Sequence, residues 1–128
     1  LEALEKIMFD KSLKLYSQPQ FDLASGKLKR HEVLLRFPTI LDFEAGPKTT
    51  SEWISLIKSQ KGLRSLTDWI VDKVAFFLKN NKYHSPLSVN VSPTMVDDAF
   101  VESVIRAFKR YDVRLSRFGL EITEDFVY

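Results

Sequence analysis

Four short segments of the chain have the residue pattern of β-strands, and in the last three of them apolar and polar residues alternate with a period of two. These segments cover about residues 13–21, 27–37, 86–91 and 118–123. Only the turn-forming residues 22–26 separate the first two segments, so short a link that the two strands must run antiparallel as a hairpin.

Apolar residues recur at helical spacing between the strands. The pattern predicts a short helix over residues 1–8, a helix from about Ser51 to Gly62, a longer one from Leu63 to about residue 80, and one around residues 101–108. Thr49 followed by Glu52 is a capping-box signal for the start of the second of these helices. From the second strand onward, strands alternate with helices, which predicts an α/β fold with a parallel sheet.

The last three strands each have one apolar face and one face that carries polar groups. The polar faces hold Glu32 with Leu34 and Arg36, then Ser88 with Asn90, then Gly119 with Glu121 and Thr123. A doubly wound sheet buries both faces and favours apolar residues on each. Polar groups on one face fit better with a barrel whose interior opens into a site.

Composition narrows the class of protein. The chain has 128 residues, enough for one domain, and a formal net charge of +2, which gives no reason to expect a nucleic acid polymer as partner. We interpret the basic clusters at residues 27–30 and 106–117 as solvated strand and helix faces. The absence of cysteine fits a reducing compartment, and the sequence contains neither a signal peptide nor a membrane segment, so we expect a cytoplasmic location.

Three residues in the strands are candidate ligands of a metal ion. Glu32, Asn90 and Glu121 all carry hard oxygen donors, and each is costly to bury in a strand without a partner. Taken singly, either glutamate could be a buried member of an ion pair, and Asn90 could be a hydrogen-bonded strand residue. Their shared alternation favours one common partner, a hard cation such as Mg²⁺ or Mn²⁺.

Other polar residues allow two interpretations each. Arg36 lies on the face of Glu32 and could pair with it, or its guanidinium could bind a phosphate oxygen. Gln18 could contact a base or ribose, or form a hydrogen bond within the sheet. His31 lies on the opposite face from Glu32, and neither it nor His84 is a convincing general base.

Four motifs in order along the chain resemble the EAL domain, the family of phosphodiesterases that linearise the bacterial messenger cyclic di-GMP. The motifs are YSQPQ at residues 16–20, EVLLR at 32–36, SVNVSP at 88–93 and LEITE at 120–124. The signature triplet is Glu-Val-Leu instead of Glu-Ala-Leu. Because Val33 belongs to the apolar face of its strand, we expect this change to be neutral.

The resemblance implies part of a modified TIM (β/α)8 barrel with an antiparallel first strand, about four of the eight strands being present. It implies that Glu32, Asn90 and Glu121 are ligands of Mg²⁺ or Mn²⁺. It further implies that Gln18, Leu34 and Arg36 contact cyclic di-GMP and that Glu124 stabilises an active-site loop. In that family, metal ions activate a water molecule that attacks phosphorus in line.

Length sets the expectation for activity. A TIM barrel needs about 250 residues, and the family's remaining ligands and its catalytic lysine would lie beyond Tyr128. We therefore expect residues 1–128 to form a truncated EAL-type domain that has no catalytic residue of its own and is inactive alone. The alternative is a degenerate module that senses cyclic di-GMP or a protein partner. Open strand edges are expected to cause self-association.

Overall fold

The fold is a four-stranded sheet with helices on one face. A computed structural model describes residues 13–38, 49–59 and 62–123. The strands β1 (Lys14–Phe21), β2 (Leu28–Arg36), β3 (Leu87–Val91) and β4 (Phe118–Ile122) lie in the order β1-β2-β3-β4. β1 is antiparallel to β2, and the other neighbours are parallel. The predicted strands and their directions are confirmed, with ends that differ by at most one residue.

The helices connect the parallel strands. They are α1 (Thr50–Ser59), α2 (Leu63–Asn80) and α3 (Asp98–Arg110), with short 3-10 turns at Pro93–Met95 and Leu115–Arg117. The predicted helix over residues 1–8 lies outside the described residues. Within the described part, no helix is long and apolar enough to cross a bilayer.

Local sequence signals explain where the elements begin and turn. The Thr49 hydroxyl accepts a hydrogen bond from the Glu52 amide at 3.1 Å, as the capping-box pattern predicted. In the β1–β2 turn, the Asp22 carboxylate accepts from the Ala24 amide at 2.8 Å, and Gly26 adopts a φ of +70°. Gly26 suits this position because a side chain would be strained there.

The hydrophobic core lies between the helices and the apolar face of the sheet. Val33 and Leu35 of β2 are buried there, as the alternation pattern predicted. Trp53 of α1 is fully buried and stacks on Phe37 with ring centroids 5.7 Å apart. The helical residues that complete this core are Ile57, Leu66, Ile70, Val71, Val74, Ala75, Leu78, Phe100, Val104, Ala107 and Phe108.

The apolar face of β4 departs from the prediction that every strand buries such a face under helices. Leu120 is 38% exposed and Ile122 is 59% exposed. α3 covers the start of β4, where the ring centroids of Phe108 and Phe118 lie 5.0 Å apart, but it does not cover Leu120 and Ile122 further along the strand. A groove of about 320 Å³ remains between α3 and β4, lined by Phe100, Val104 and Leu120 among others. The described sheet is therefore open.

Candidate functional site

The three predicted ligands lie on the open face of the sheet, opposite the helices. Asn90 of β3 is the register partner of Glu121 of β4, and Glu32 of β2 is the register partner of Ser88, two residues before Asn90. The Asn90 side-chain amide donates to the Glu32 carboxylate, with 2.8 Å between Nδ2 and Oε1. Residues 58 positions apart in sequence are thus in direct contact.

Arg30 joins this cluster as a cation. Its Nη2 donates to Oε1 of Glu121 at 2.8 Å, and its Nε donates to Oε1 of Gln20 at 2.9 Å. Gln20 in turn donates through Nε2 to Oε2 of Glu32 at 3.4 Å. Five side chains from four strands therefore form one hydrogen-bonded network, which we call the Arg30 network: Gln20, Arg30, Glu32, Asn90 and Glu121.

The interpretation of Arg30 as part of a solvated basic cluster was wrong. Its side chain is only 35% exposed, and that of Glu121 is 24% exposed. The signal was present in the alternation, because Arg30 lies two residues before Glu32 and therefore on the same face of β2. Gln20 was also missed, although it lies two residues after Gln18 and therefore on the same face of β1.

Small residues lie between the polar groups of β2 and β4. In the row that contains Glu32, β3 contributes Ser88 and β4 contributes Gly119. Ser88 is fully buried, and within the described part of the chain its hydroxyl has no hydrogen-bond partner. A Cβ at Gly119 would lie 3.5 Å from that of Ser88. These short side chains leave room above them for longer side chains from the neighbouring strands, which explains why Ser88 itself has no exposed surface.

The residues that resemblance assigned to the dinucleotide flank the Arg30 network. Gln18 is exposed and is the register partner of Glu32, whereas Leu34 is half-buried opposite Tyr16. The Arg36 guanidinium is exposed, donates to the Leu35 carbonyl at 2.7 Å and lies 5.7 Å from the centroid of the Tyr16 ring. No ion pair between Arg36 and Glu32 is found among the described residues. Glu124 lies outside them.

The donor set suits a hard cation in type. Two carboxylates and one amide supply the oxygen ligands that Mg²⁺ and Mn²⁺ prefer. Their number is small, since these ions favour about six oxygen ligands. Across residues 13–38, 49–59 and 62–123, no three His, Cys, Asp or Glu side chains cluster closely enough to hold a metal. Any ion bound here would need the Asn90 oxygen and further ligands from water or substrate.

The histidines lie away from this network. His31 Nδ1 is 2.6 Å from the Ser85 hydroxyl, and its ring centroid is 4.7 Å from that of His84. Burial, with a smaller contribution from the charge of His84, lowers the pKa of His31 from its usual value of 6.5. This pair supports the start of β3, because the His31 amide also donates to the Pro86 carbonyl at 2.9 Å.

Fold and site together define part of a TIM-barrel-like α/β domain with an antiparallel first strand and acidic groups on the interior face. The sequence model of the EAL domain family matches residues 2–128. The chain belongs to the EAL domain family.

Individual relatives agree with this assignment. The curated "Cyclic di-GMP phosphodiesterase PA2567" of Pseudomonas aeruginosa is 33% identical over 114 residues, which is 86% of this chain and 19% of that protein. The PaMucR phosphodiesterase in a c-di-GMP complex matches with a TM-score of 0.76 and 22% identity, over 97% of this chain and 51% of that one. The Xanthomonas citri FimX EAL domain in complex with c-diGMP matches with a TM-score of 0.74 and 17% identity, over 96% and 48%.

This chain matches only part of the length of each of these relatives. The chain spans about a fifth of the curated relative and about half of these two solved domains. The structural likeness therefore establishes the fold of this portion.

Proposed function

We propose that these 128 residues are the N-terminal half of a metal-dependent cyclic di-GMP phosphodiesterase, and that their open face is the corresponding part of its substrate site. The observation that supports this most directly is the 2.8 Å contact between Asn90 and Glu32, together with the register pairing of Asn90 with Glu121. Family membership and the curated relative, a cyclic di-GMP phosphodiesterase, agree with it.

In this proposal Glu32, Asn90 and Glu121 hold Mg²⁺ or Mn²⁺, which would supply the charge that activates a water molecule for attack on phosphorus. The hydrogen bond from Asn90 orients the Glu32 carboxylate on the open face. Small side chains at Ser88 and Gly119 leave room above them for the longer side chains of the site.

Substrate contacts come from the flanking residues. The exposed guanidinium of Arg36 is available for a phosphate oxygen, because its described partners are only one carbonyl and the Tyr16 ring. Gln18 and Leu34 contact the dinucleotide from β1 and β2. Glu124 stabilises a loop of the active site. All four roles extend the resemblance of the motifs to these positions.

A second function, binding of cyclic di-GMP without hydrolysis, is favoured by one specific observation. Arg30 donates to the same Glu121 that the phosphodiesterase proposal assigns to the metal. A guanidinium in this position already neutralises one of the two carboxylates, so less of the negative charge that would attract a metal ion remains. A module that binds cyclic di-GMP without hydrolysis needs no metal ion at Glu121.

Turnover and binding assays separate these functions. We expect the purified chain to show no useful hydrolysis of cyclic di-GMP with Mg²⁺ or Mn²⁺, because two carboxylates and one amide are too few ligands to hold and activate a metal-bound water. Calorimetry should still detect binding of cyclic di-GMP that weakens in Arg36→Ala. Robust linear product that disappears in Glu32→Ala would establish the chain as an enzyme by itself, and absence of binding would refute both functions.

Self-association and a cytoplasmic location complete the proposal. β4 presents an open edge beside the exposed Leu120 and Ile122, and such edges recruit other strands. A second copy could pair with this edge or exchange an element with it.

A further inference from the structure

Arg30 connects the two outer strands across the open face of the sheet. It projects from β2, yet its guanidinium contacts Gln20 of β1 at 2.9 Å and Glu121 of β4 at 2.8 Å. β3 lies between β2 and β4, so the contact with Glu121 bridges two strand spacings, about 10 Å. This bridge places a permanent positive charge directly on a carboxylate of the candidate metal site.

The surroundings of Arg30 are adapted to this position. In the row of Glu32, β3 contributes Ser88 and β4 contributes Gly119, whose short side chains leave room on the open face for a long side chain from β2. Gln20 is the register partner of Arg30 and accepts from its Nε, while the amide of the same Gln20 contacts Glu32. The guanidinium is thus held by partners on both sides.

We propose that Arg30 is an internal cation that competes with the divalent metal for Glu121 and thereby sets the metal affinity of the site. This inference rests on the proposed metal role of Glu121. Oxygen Oε1 of Glu121 accepts from Arg30, so an ion that binds this oxygen must displace the guanidinium or share the carboxylate with it. A like charge beside the site also repels the incoming cation.

The expected size of the effect follows from the charges. A unit charge about 6 Å from a divalent ion changes the binding free energy by about 1.4 kcal/mol even at the dielectric constant of water, which is about tenfold in affinity. Removal of Arg30 also frees Glu121 from its ion pair, and this increases the metal affinity further. Removal of the charge at Arg30 should therefore tighten metal binding about tenfold or more.

The test measures Mn²⁺ binding to the purified chain directly, through the loss of the electron paramagnetic resonance signal of free Mn²⁺. Arg30→Gln should bind Mn²⁺ about tenfold more tightly than the wild-type chain. Lys29→Gln is the matched control, because it removes the same charge from an exposed neighbouring position on the other face of β2. Glu121→Gln should weaken binding in either background.

A second measurement keeps the test decisive if Arg30→Gln fails to fold. In the wild-type chain, the Nε resonance of Arg30 in nitrogen-15 spectra should shift on titration with Mg²⁺, while that of the exposed Arg36 should shift much less. Equal Mn²⁺ affinities in wild type and Arg30→Gln would overturn the proposed competition and leave the proposed metal site standing. An Arg30 resonance that does not move at saturating Mg²⁺ would do the same. Absence of Mn²⁺ binding in every variant would overturn the proposed metal site together with the competition.

Discussion

Substitution of Arg117 by alanine should destabilise the connection that places β3, and with it Asn90. Arg117 closes the end of α2: its Nη1 donates to the Leu78 carbonyl at 2.9 Å and its Nη2 to the Asn81 carbonyl at 2.8 Å. A third, longer contact of 3.4 Å reaches the His84 carbonyl. The last carbonyls of a helix lack intrahelical donors, and a cation near them also interacts favourably with the helix dipole.

The magnitude can be worked from these contacts. Each of the two short hydrogen bonds contributes about 1 kcal/mol net, and the long one contributes little at 3.4 Å. The dipole term adds a few tenths of a kcal/mol, reduced by the partial exposure of the guanidinium. Arg117→Ala should therefore lower the free energy of unfolding by about 2 kcal/mol.

Urea denaturation followed by circular dichroism measures this loss. Arg114→Ala is the control, because Arg114 is an exposed arginine three residues earlier in the same segment. Arg117→Lys should fall between the two, because an ammonium keeps the charge but lacks the fork that reaches two carbonyls at once. If Arg117→Ala costs less than about 0.5 kcal/mol, or no more than Arg114→Ala, the reasoning from the helix end is refuted.

Three further predictions concern pH, the core and the open edge. Because the pKa of His31 is lowered in the folded chain, the unfolded chain binds more protons than the folded chain once the pH falls below about 6.5. The contribution of His31 to the free energy of unfolding should therefore be fully present above that pH and decline below it. Thermal melts should show this slope, and an unchanged slope in His31→Gln would contradict it. Phe100→Ala should cost about 3–5 kcal/mol in urea melts because Phe100 is fully buried, whereas the exposed Val101→Ala should cost far less, and similar losses would argue against this core. Light scattering should show wild-type oligomers that Ile122→Lys reduces, and a wild-type monomer at high concentration would count against association through β4.

Much of the fold was determined by the sequence alone, because its signals are local. Short strand-like segments bounded by turn residues identified all four strands, and alternation with period two identified the face to which Glu32, Asn90 and Glu121 belong. The five residues 22–26 between the first two predicted strands are too few for a crossover, so the antiparallel direction of this pair followed from the length of the link. The capping box at Thr49 and Glu52 placed the start of α1, because it depends on side chains only three residues apart.

The partners of the site residues were decided only by the tertiary structure. Alternation places Arg30 on the face of Glu32, but it does not tell how far a long, flexible side chain extends or which carboxylate it meets. Its contact with Glu121 lies 91 positions away in sequence and depends on the order of strands in the sheet. The exposure of Leu120 and Ile122 likewise depends on where α3 packs. Strand faces are local properties of the backbone, whereas ion pairs across a sheet depend on how separate strands are assembled.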